Sequence, residues 1–448
     1  MPGDNGAAHS TEAGDARPAV YVGLVGDILH GGHINILNVA RGLGRVTVGV
    51  LTDEAAASYK RIPFMSFGQR KLIFENMRGV ERVVAQDTLS YRGNLLALQP
   101  RYVVHGDDWR DGPQANVRAE VVELLQGWGG ELVEVPYTSG VSSTMLHEAL
   151  RERGILARGR QHKLRALLRA KPIVRILEAH SPVAGLVAER ARAAGREFDA
   201  FWSSSLTDSL MHGKPDIEVL DYRTRLASLA ETFEVTSKPL IYDGDSGGSP
   251  ECVYYLAKAL DACGASAVCL EDKVGRKSNS LYGAASTQKQ ASIEEFAERL
   301  SSVRAAVPET EMMVIARIES LVLGRPMDEA VERAQAYCEA GADGILIHSV
   351  KTCPDEVFAF TERFKTNHAN EPVFAVPTTY AGTFESEMRE HGVSGVIYAN
   401  QLLRASYAGM IRAARDILTH ERAAEASLYS VEPSDLLALL PEPKCLSR

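Results

Sequence analysis

The 448-residue chain lacks any run of 18 consecutive apolar residues, which excludes a helix long enough to span a bilayer. It also lacks a C-x-x-C pair: its cysteines, Cys252, Cys263, Cys269, Cys338, Cys353 and Cys445, are scattered through the rear half. Neither a zinc site nor a disulfide framework is signalled, so a reducing, cytoplasmic compartment is expected. No long Lys/Arg run is present and the formal charge is −9. Sequence-independent grip on a nucleic-acid backbone is therefore not expected, and small anions bound locally are. The opening MPGDNGAAHSTEAGDARP has no apolar core segment, so residues 1–17 read as a disordered tail and not as a signal peptide. The chain as a whole has an ordinary globular composition, with 45% hydrophobic and 24% charged residues. At about 100 to 200 residues per domain the length suggests two domains.

Over residues 18–150 the apolar runs AVYVGLV, VTVGVL, RVVA, RYVVH and ELVEV alternate with helical stretches such as HINILNVARGL and SFGQRKLIFENMR. This is the pattern of a parallel sheet with crossover helices, a Rossmann-like α/β unit. Residues 151–171, rich in Arg and Lys with one apolar stripe, read as a helical linker. From residue 172 to 425 the strands VRILEAH, FDAFWSS, PLIYDGD, SAVCLED, MMVIARIE, GILIHS, VFAVPT and GVIYAN are separated by amphipathic segments. That series predicts a (β/α)8 barrel, whose active site gathers at the carboxyl ends of its strands. Those ends carry Trp202, Ser203, Asp243, Asp245, Glu271, Arg317, His348, Thr378 and Asn400. Residues 426–448 form a tail containing LLALLPEP, either a short docked helix or a mobile end.

Each half holds a signature for handling phosphorus. In the front half it is His30-Gly31-Gly32-His33, between the first strand and the first helix. Nucleotidyl transfer builds negative charge on a crowded phosphorus and needs fixed donors around it. Glycines let the backbone approach a triphosphate, and a helix amino terminus faces it. Two histidines in a capped turn would look the same in isolation. Asp27, Thr52-Asp53-Glu54, Gln69-Arg70-Lys71, Gly106-Asp107-Asp108-Trp109 and Ser142-Ser143-Thr144 accompany them. Together these segments resemble the glycerol-3-phosphate cytidylyltransferase family over residues 19 to about 150.

The resemblance implies CTP as nucleotide and departure of pyrophosphate with help from Mg2+. It implies transition-state stabilisation by His30 and His33, and phosphate neutralisation by Arg70 with Lys60 or Arg61. Asp27, Asp107, Asp108, Trp109, Ser142, Ser143 and Thr144 would surround the nucleotide, although one of those hydroxyls also suits a helix N-cap. Two departures fall where the acceptor should sit. Tyr137-Thr138-Ser139-Gly140 stands where the family has an Arg, and Leu24-Val25-Gly26-Asp27 replaces its G-T-F-D. Both point away from glycerol phosphate.

The rear signature is Asp243-Gly244-Asp245 with Glu271-Asp272-Lys273-Val274-Gly275-Arg276-Lys277-Ser278-Asn279-Ser280. Carboxylates converging on one barrel mouth suit Mg2+, whereas DGDSGG alone would pass for a tight acidic turn. With Trp202-Ser203-Ser204-Ser205-Leu206, Asp216, Arg317 and His348, residues 172 to about 420 resemble phosphoenolpyruvate mutase of the isocitrate lyase superfamily. The resemblance implies that Trp202 to Leu206 bind the substrate carboxylate, and that Asp216, Asp243, Asp245 and Glu271 hold Mg2+ or its waters. Arg317 and His348 would face the phosphoryl group, and Lys277, Asn279 and Ser280 would belong to a gating loop. The lyases' catalytic Cys in K-K-C-G-H is absent from this loop, and Asn279 stands where a phosphonopyruvate hydrolase carries Thr. Gly275-Arg276 replaces a Phe-Pro, which should loosen the loop.

The fusion resembles the bifunctional enzymes of fosfomycin biosynthesis. It implies phosphoenolpyruvate and phosphonopyruvate as rear substrates and 2-hydroxyethylphosphonate as the front acceptor. Another phosphonate such as 2-aminoethylphosphonate, or one inactive domain serving as scaffold, stays open. The superfamily resemblance implies a homodimer or homotetramer through the barrels; the charge balance and the lack of a long apolar run give no expectation of a nucleic-acid or membrane partner.

Overall fold

The computed structural model describes residues 17–57, 63, 65–110, 115–136, 156–281, 288–308 and 310–440. The chain divides into two compact units, Met1–Leu150 and Arg151–Arg448.

In the front unit the elements run β1 (Ala19–Leu24), α1 (Gly31–Leu43), β2 (Arg45–Leu51), α2 (Asp53–Ala57), α3 (Phe67–Glu75) and β3 (Val80–Gln86). They continue with α4 (Arg92–Leu98), β4 (Tyr102–Gly106), α5 (Ala115–Gln126) and β5 (Glu131–Val135). All strand pairs are parallel and the order is β3-β2-β1-β4-β5. Both faces are covered, which is why the strands are apolar on both sides. Val20 and Val22 pack with Leu37 and Phe74 on one face, while Tyr21 and Val103 pack with Leu95, Trp109 and Leu125 on the other. The order reverses between β1 and β4, so a crevice opens beyond their carboxyl ends. Gly26 makes the exit from β1: its φ is +69° and an added Cβ would lie 2.3 Å from the Phe74 ring.

The rear unit opens with α6 (Leu156–Ala170) and then forms a closed barrel. Its strands are β6 (Val174–Glu178), β7 (Ala200–Ser203), β8 (Leu240–Asp243), β9 (Ala267–Glu271), β10 (Met313–Ile318), β11 (Gly344–Ile347), β12 (Val373–Ala375) and β13 (Gly395–Tyr398). Every one of the expected strands is in it, in the order β8-β9-β10-β11-β12-β13-β6-β7. The intervening helices are α7 (Pro182–Arg190), α8 (Ser205–Met211), α9 (Tyr222–Val235), α10 (Pro250–Cys263), α11 (Ile293–Ala306), α12 (Met327–Glu339), α13 (Asp355–Lys365) and α14 (Glu385–Glu390). Beyond β13 come α15 (Gln401–His420), α16 (Ala424–Ser427) and α17 (Pro433–Ala438). The strand register sets Glu271 opposite Arg317 across β9 and β10, which brings unlike charges together at the mouth.

The segment read as a linker lies on the barrel. In α6, Arg160 donates to the Thr236 carbonyl at 2.8 Å, Gln161 to the Asp261 carbonyl at 2.9 Å and Lys163 to the Ser237 carbonyl at 3.1 Å. Leu164 and Leu167 are buried beside them. Arg160 and Lys163 cap carbonyls that precede β8 and Gln161 one that precedes β9, at the end of the barrel opposite the strand carboxyl ends. In the tail, α17 forms and Arg190 donates to the Leu439 carbonyl at 3.0 Å. By contrast α15 buries none of its 20 residues, leaving Tyr407, Met410, Ile417 and Leu418 exposed. No helix among the described residues is long and apolar enough to cross a membrane.

Candidate active sites

At the front crevice His30 is the N-cap of α1. Its Nδ1 accepts from the Gly32 amide at 3.1 Å, while the His33 Nδ1 accepts from the His30 amide at 3.4 Å. The rings stand 4.1 Å apart, so one capping box fixes both imidazoles beside the helix amino terminus. Burial lowers the His30 pKa from 6.5, which keeps this ring neutral near pH 7. Asp27 is buried and accepts from the Met65 amide at 3.1 Å. Asp107 opens the single turn after β4. Lys60, Arg61, Tyr137, Ser142, Ser143 and Thr144 lie outside the described residues, as does the Asp108 side chain.

Two residues of the expected nucleotide site, Arg70 and Trp109, turn into the core. Arg70 is fully buried and its guanidinium is consumed by the fold. It donates to Val25 O at 2.5 Å, Leu51 O at 2.8 Å, Met65 O at 3.0 Å and Asp53 Oδ1 at 2.6 Å. These bonds tie the ends of β1 and β2 to α3. Trp109 is likewise 0% exposed, stacked 3.8 Å from the His105 ring with its indole N–H on Glu134 at 3.0 Å. It offers no face to a base and instead anchors the turn that carries Asp107.

The rear cavity opens at the carboxyl ends of the barrel strands and is lined by Trp202, Ser204, Ser205, Leu206, Asp216, Asp243, Lys277, Asn279, Ser280, Arg317, His348 and others. Thr378 and Asn400 close its far wall. Ser203 is turned away, donating to Asp208 at 2.9 Å. Ser205 gives both its amide and its hydroxyl to Asp243 Oδ2, at 3.1 and 3.0 Å. The loop after β9 is drawn in: Lys277 Nζ donates to Asp216 at 2.6 Å, to Ser205 at 2.8 Å and to Asp245. Asn279 donates to the other Asp216 oxygen at 2.6 Å. Asp216 therefore holds the loop.

The carboxylates that come together are Glu218, Asp245 and Glu271, with one oxygen each within 4.8 Å of the others. Glu218 was not foreseen. Burial of its carboxylate, with Asp245 and Glu271 nearby, raises its pKa, and it accepts from the Ser246 amide at 2.8 Å. Glu271 Oε1 is buried with no hydrogen-bond partner among the described residues, and Glu271 Oε2 lies 3.4 Å from Arg317. Burial raises Asp243, aided by Asp245, whereas at Asp245 burial is outweighed by Lys277 and Arg225, which lower it.

Arg317 reaches Glu319 at 2.6 Å, Ser280 at 2.7 Å and His348 Nδ1 at 3.0 Å. Burial, then the Arg317 charge, lowers the His348 pKa, so the ring faces the cavity neutral. Arg225, also unforeseen, lies 4.1 Å over the Tyr242 ring and donates to Asp243 O at 2.6 Å and Asp208 at 2.9 Å.

Residues 164–418 match the family model for phosphoenolpyruvate phosphomutase. The chain belongs to that family. Residues 26–149 match the cytidylyltransferase-like model, so the front unit of this phosphomutase-family chain is a cytidylyltransferase-like domain. A phosphonopyruvate hydrolase of Variovorax sp. (strain Pal2) is 38% identical over 54% of this chain and 81% of its own length. A phosphoenolpyruvate phosphomutase of Streptomyces hygroscopicus is 34% identical over 60% and 82%. The crystal structure of a phosphoenolpyruvate phosphomutase from Streptomyces platensis subsp. rosaceus superposes with a TM-score of 0.58 at 35% identity, covering 62% of this chain and 93% of that one. A phosphonopyruvate hydrolase complexed with oxalate and Mg++ superposes with a TM-score of 0.56 at 31% identity, covering 64% and 94%.

Proposed function

We propose that the barrel interconverts phosphoenolpyruvate and phosphonopyruvate with Mg2+, and that the front unit transfers CMP from CTP to 2-hydroxyethylphosphonate with release of pyrophosphate. The observation that carries the barrel reading is the loop: Lys277 and Asn279 both seat on Asp216 inside the cavity, and no cysteine accompanies them. A lyase would need a sulfur acid there. The unpartnered Glu271 Oε1 and the all-oxygen set of Glu218, Asp245 and Glu271 fit a hard divalent cation. Bound there, Mg2+ would neutralise the enolate oxygen of pyruvate.

The residues supply the rest. Ser204 and Leu206, on the cavity wall at the amino terminus of α8, suit the substrate carboxylate, while Ser205 is engaged on Asp243. Arg317, neutral His348 and Asn279 surround the space in which a loose, metaphosphate-like group would pass between enol oxygen and methylene carbon. Loop closure keeps water out. In the front unit His30 and His33 would donate to the developing charge on the α-phosphate. Acceptor identity rests on the fusion of the two units. The exposed apolar face of α15 supports a homodimer or homotetramer formed through the barrel units.

Hydrolysis of phosphonopyruvate is the second reading, favoured by the 38% identity to the Variovorax enzyme. Phosphorus NMR separates the two: phosphonopyruvate with Mg2+ should give phosphoenolpyruvate, whereas pyruvate and phosphate would establish the hydrolase. With CTP and a panel of phosphonates, a CMP ester of 2-hydroxyethylphosphonate should form, and turnover of a different acceptor alone would reject the assignment. His33→Ala should abolish only the cytidylyl step and Asp243→Ala only the barrel step.

A further inference from the structure

Ser280 is a buried, anchored residue of the loop, and its surroundings are not those of a substrate ligand alone. It is 6% exposed, and its hydroxyl is saturated. It accepts from Lys273 Nζ and from Arg317 Nη2, each at 2.7 Å, and donates to Glu319 Oε2 at 2.7 Å. Lys273, 2% exposed, also donates to the Ser278 carbonyl at 3.2 Å, so its ammonium grips two loop residues. It stands 3.3 Å from Glu271 and 3.4 Å from Glu319. Glu319 is fixed in turn through its amide on Asp272 at 3.0 Å. Neither Lys273 nor Glu319 lines the cavity. What they hold is the loop, from behind.

We infer that Lys273 and Glu319 form a latch that secures the loop through Ser280, and that this latch decides whether the migrating phosphoryl group is delivered to the pyruvate enolate or to water. The inference rests on the phosphonate chemistry proposed above. In the isomerisation the C–P bond of phosphonopyruvate breaks and an O–P bond to the enol oxygen forms. In the leak, the C–P bond breaks, a water oxygen bonds to phosphorus, and the enolate carbon takes a proton, giving pyruvate and phosphate. Both paths share the bond cleavage and differ in what reaches phosphorus while the loop is in place. The latch residues are thus positioning residues for water exclusion. A residue that merely balanced the charge of Glu271 would change stability or metal affinity and leave the product ratio alone.

The test uses the full chain with Lys273→Met and Ser280→Ala. The first measurement is the ratio of pyruvate plus phosphate to phosphoenolpyruvate formed from phosphonopyruvate. It should rise about tenfold or more in both variants, the effect expected from losing one charge-assisted hydrogen bond in the closed state. The second is tryptic cleavage after Arg276 and Lys277 with Mg2+ and oxalate present, which should be slow in the parent and about tenfold faster in the variants. Should Lys273→Met fail to fold, Ser280→Ala alone carries both measurements. Parental product ratio together with parental cleavage rate overturns the latch. If the parent itself yields only pyruvate and phosphate, the isomerase reading fails, and the cleavage rates still decide the latch.

Discussion

Replacing Arg70 by Lys separates an architectural arginine from a phosphate ligand. Lysine keeps the charge, so a residue that neutralised CTP would tolerate the change with a modest rise in KM. The observed guanidinium, however, spans acceptors on three backbone segments and a carboxylate, at 2.5 to 3.0 Å. A compact ammonium with three donors cannot reproduce that fork. At least two charge-assisted bonds are lost at a fully buried position, and the Val25 and Leu51 carbonyls lose this donor. At about 1.5 to 3 kcal/mol per bond, the front unit should lose about 3 to 6 kcal/mol. For a unit of this size that lowers its Tm by about 10 °C or more. Differential scanning calorimetry of the full chain should show the front transition move while the barrel transition stays. An unchanged front transition accompanied by a raised KM for CTP would refute the architectural assignment.

Further outcomes follow from the same geometry. Glu218→Gln should weaken Mn2+ binding at the barrel mouth by about tenfold, read by electron paramagnetic resonance, and parental affinity would remove Glu218 from the metal site. Gly275 has φ +76° with open space around it, so Gly275→Ala should disfavour the closed loop by about 1 kcal/mol and raise the KM for phosphonopyruvate; parental kinetics would count against a left-handed hinge. Met410→Lys with Leu418→Lys on α15 should shift the assembly to smaller species in analytical ultracentrifugation, and an unchanged sedimentation coefficient would exclude this helix as an interface. His30 has a folded pKa below its ordinary 6.5, so its contribution to stability is present above pH 6.5 and lost as pH falls below it; an NMR titration midpoint at or above 6.5 would contradict the burial that causes this.

The barrel was legible because eight apolar runs at regular spacing have few other solutions, and polar residues ending those runs must gather on one rim. Asp243, Glu271, Arg317 and His348 were found that way. Glu218 was not, because it sits on an irregular segment with φ +60° where no periodicity points at it. Lys273, Arg225 and Glu319 were missed because pattern identifies cavity walls better than the layer behind them. Arg70 and Trp109 show the opposite failure: a motif fixes residue identity but not the direction of a side chain, and both turn inward. The basic stripe of α6 read as a linker because a sequence cannot show that its cations cap the carbonyls at the foot of a barrel.

Glu218 and Asp245 share a property with a consequence for how this chain can change. Both hold a left-handed backbone, at φ +60° and +52°, that non-glycine residues avoid. At Glu218, which is exposed, glycine would fit the backbone better by about 1 kcal/mol. The fold alone would thus favour erasing a carboxylate of the proposed metal site. A stability screen blind to activity should drift toward glycine there, and a library selected for turnover should not. The difference between the two outcomes measures, at one residue, how far selection for chemistry has held this protein away from its own most stable sequence.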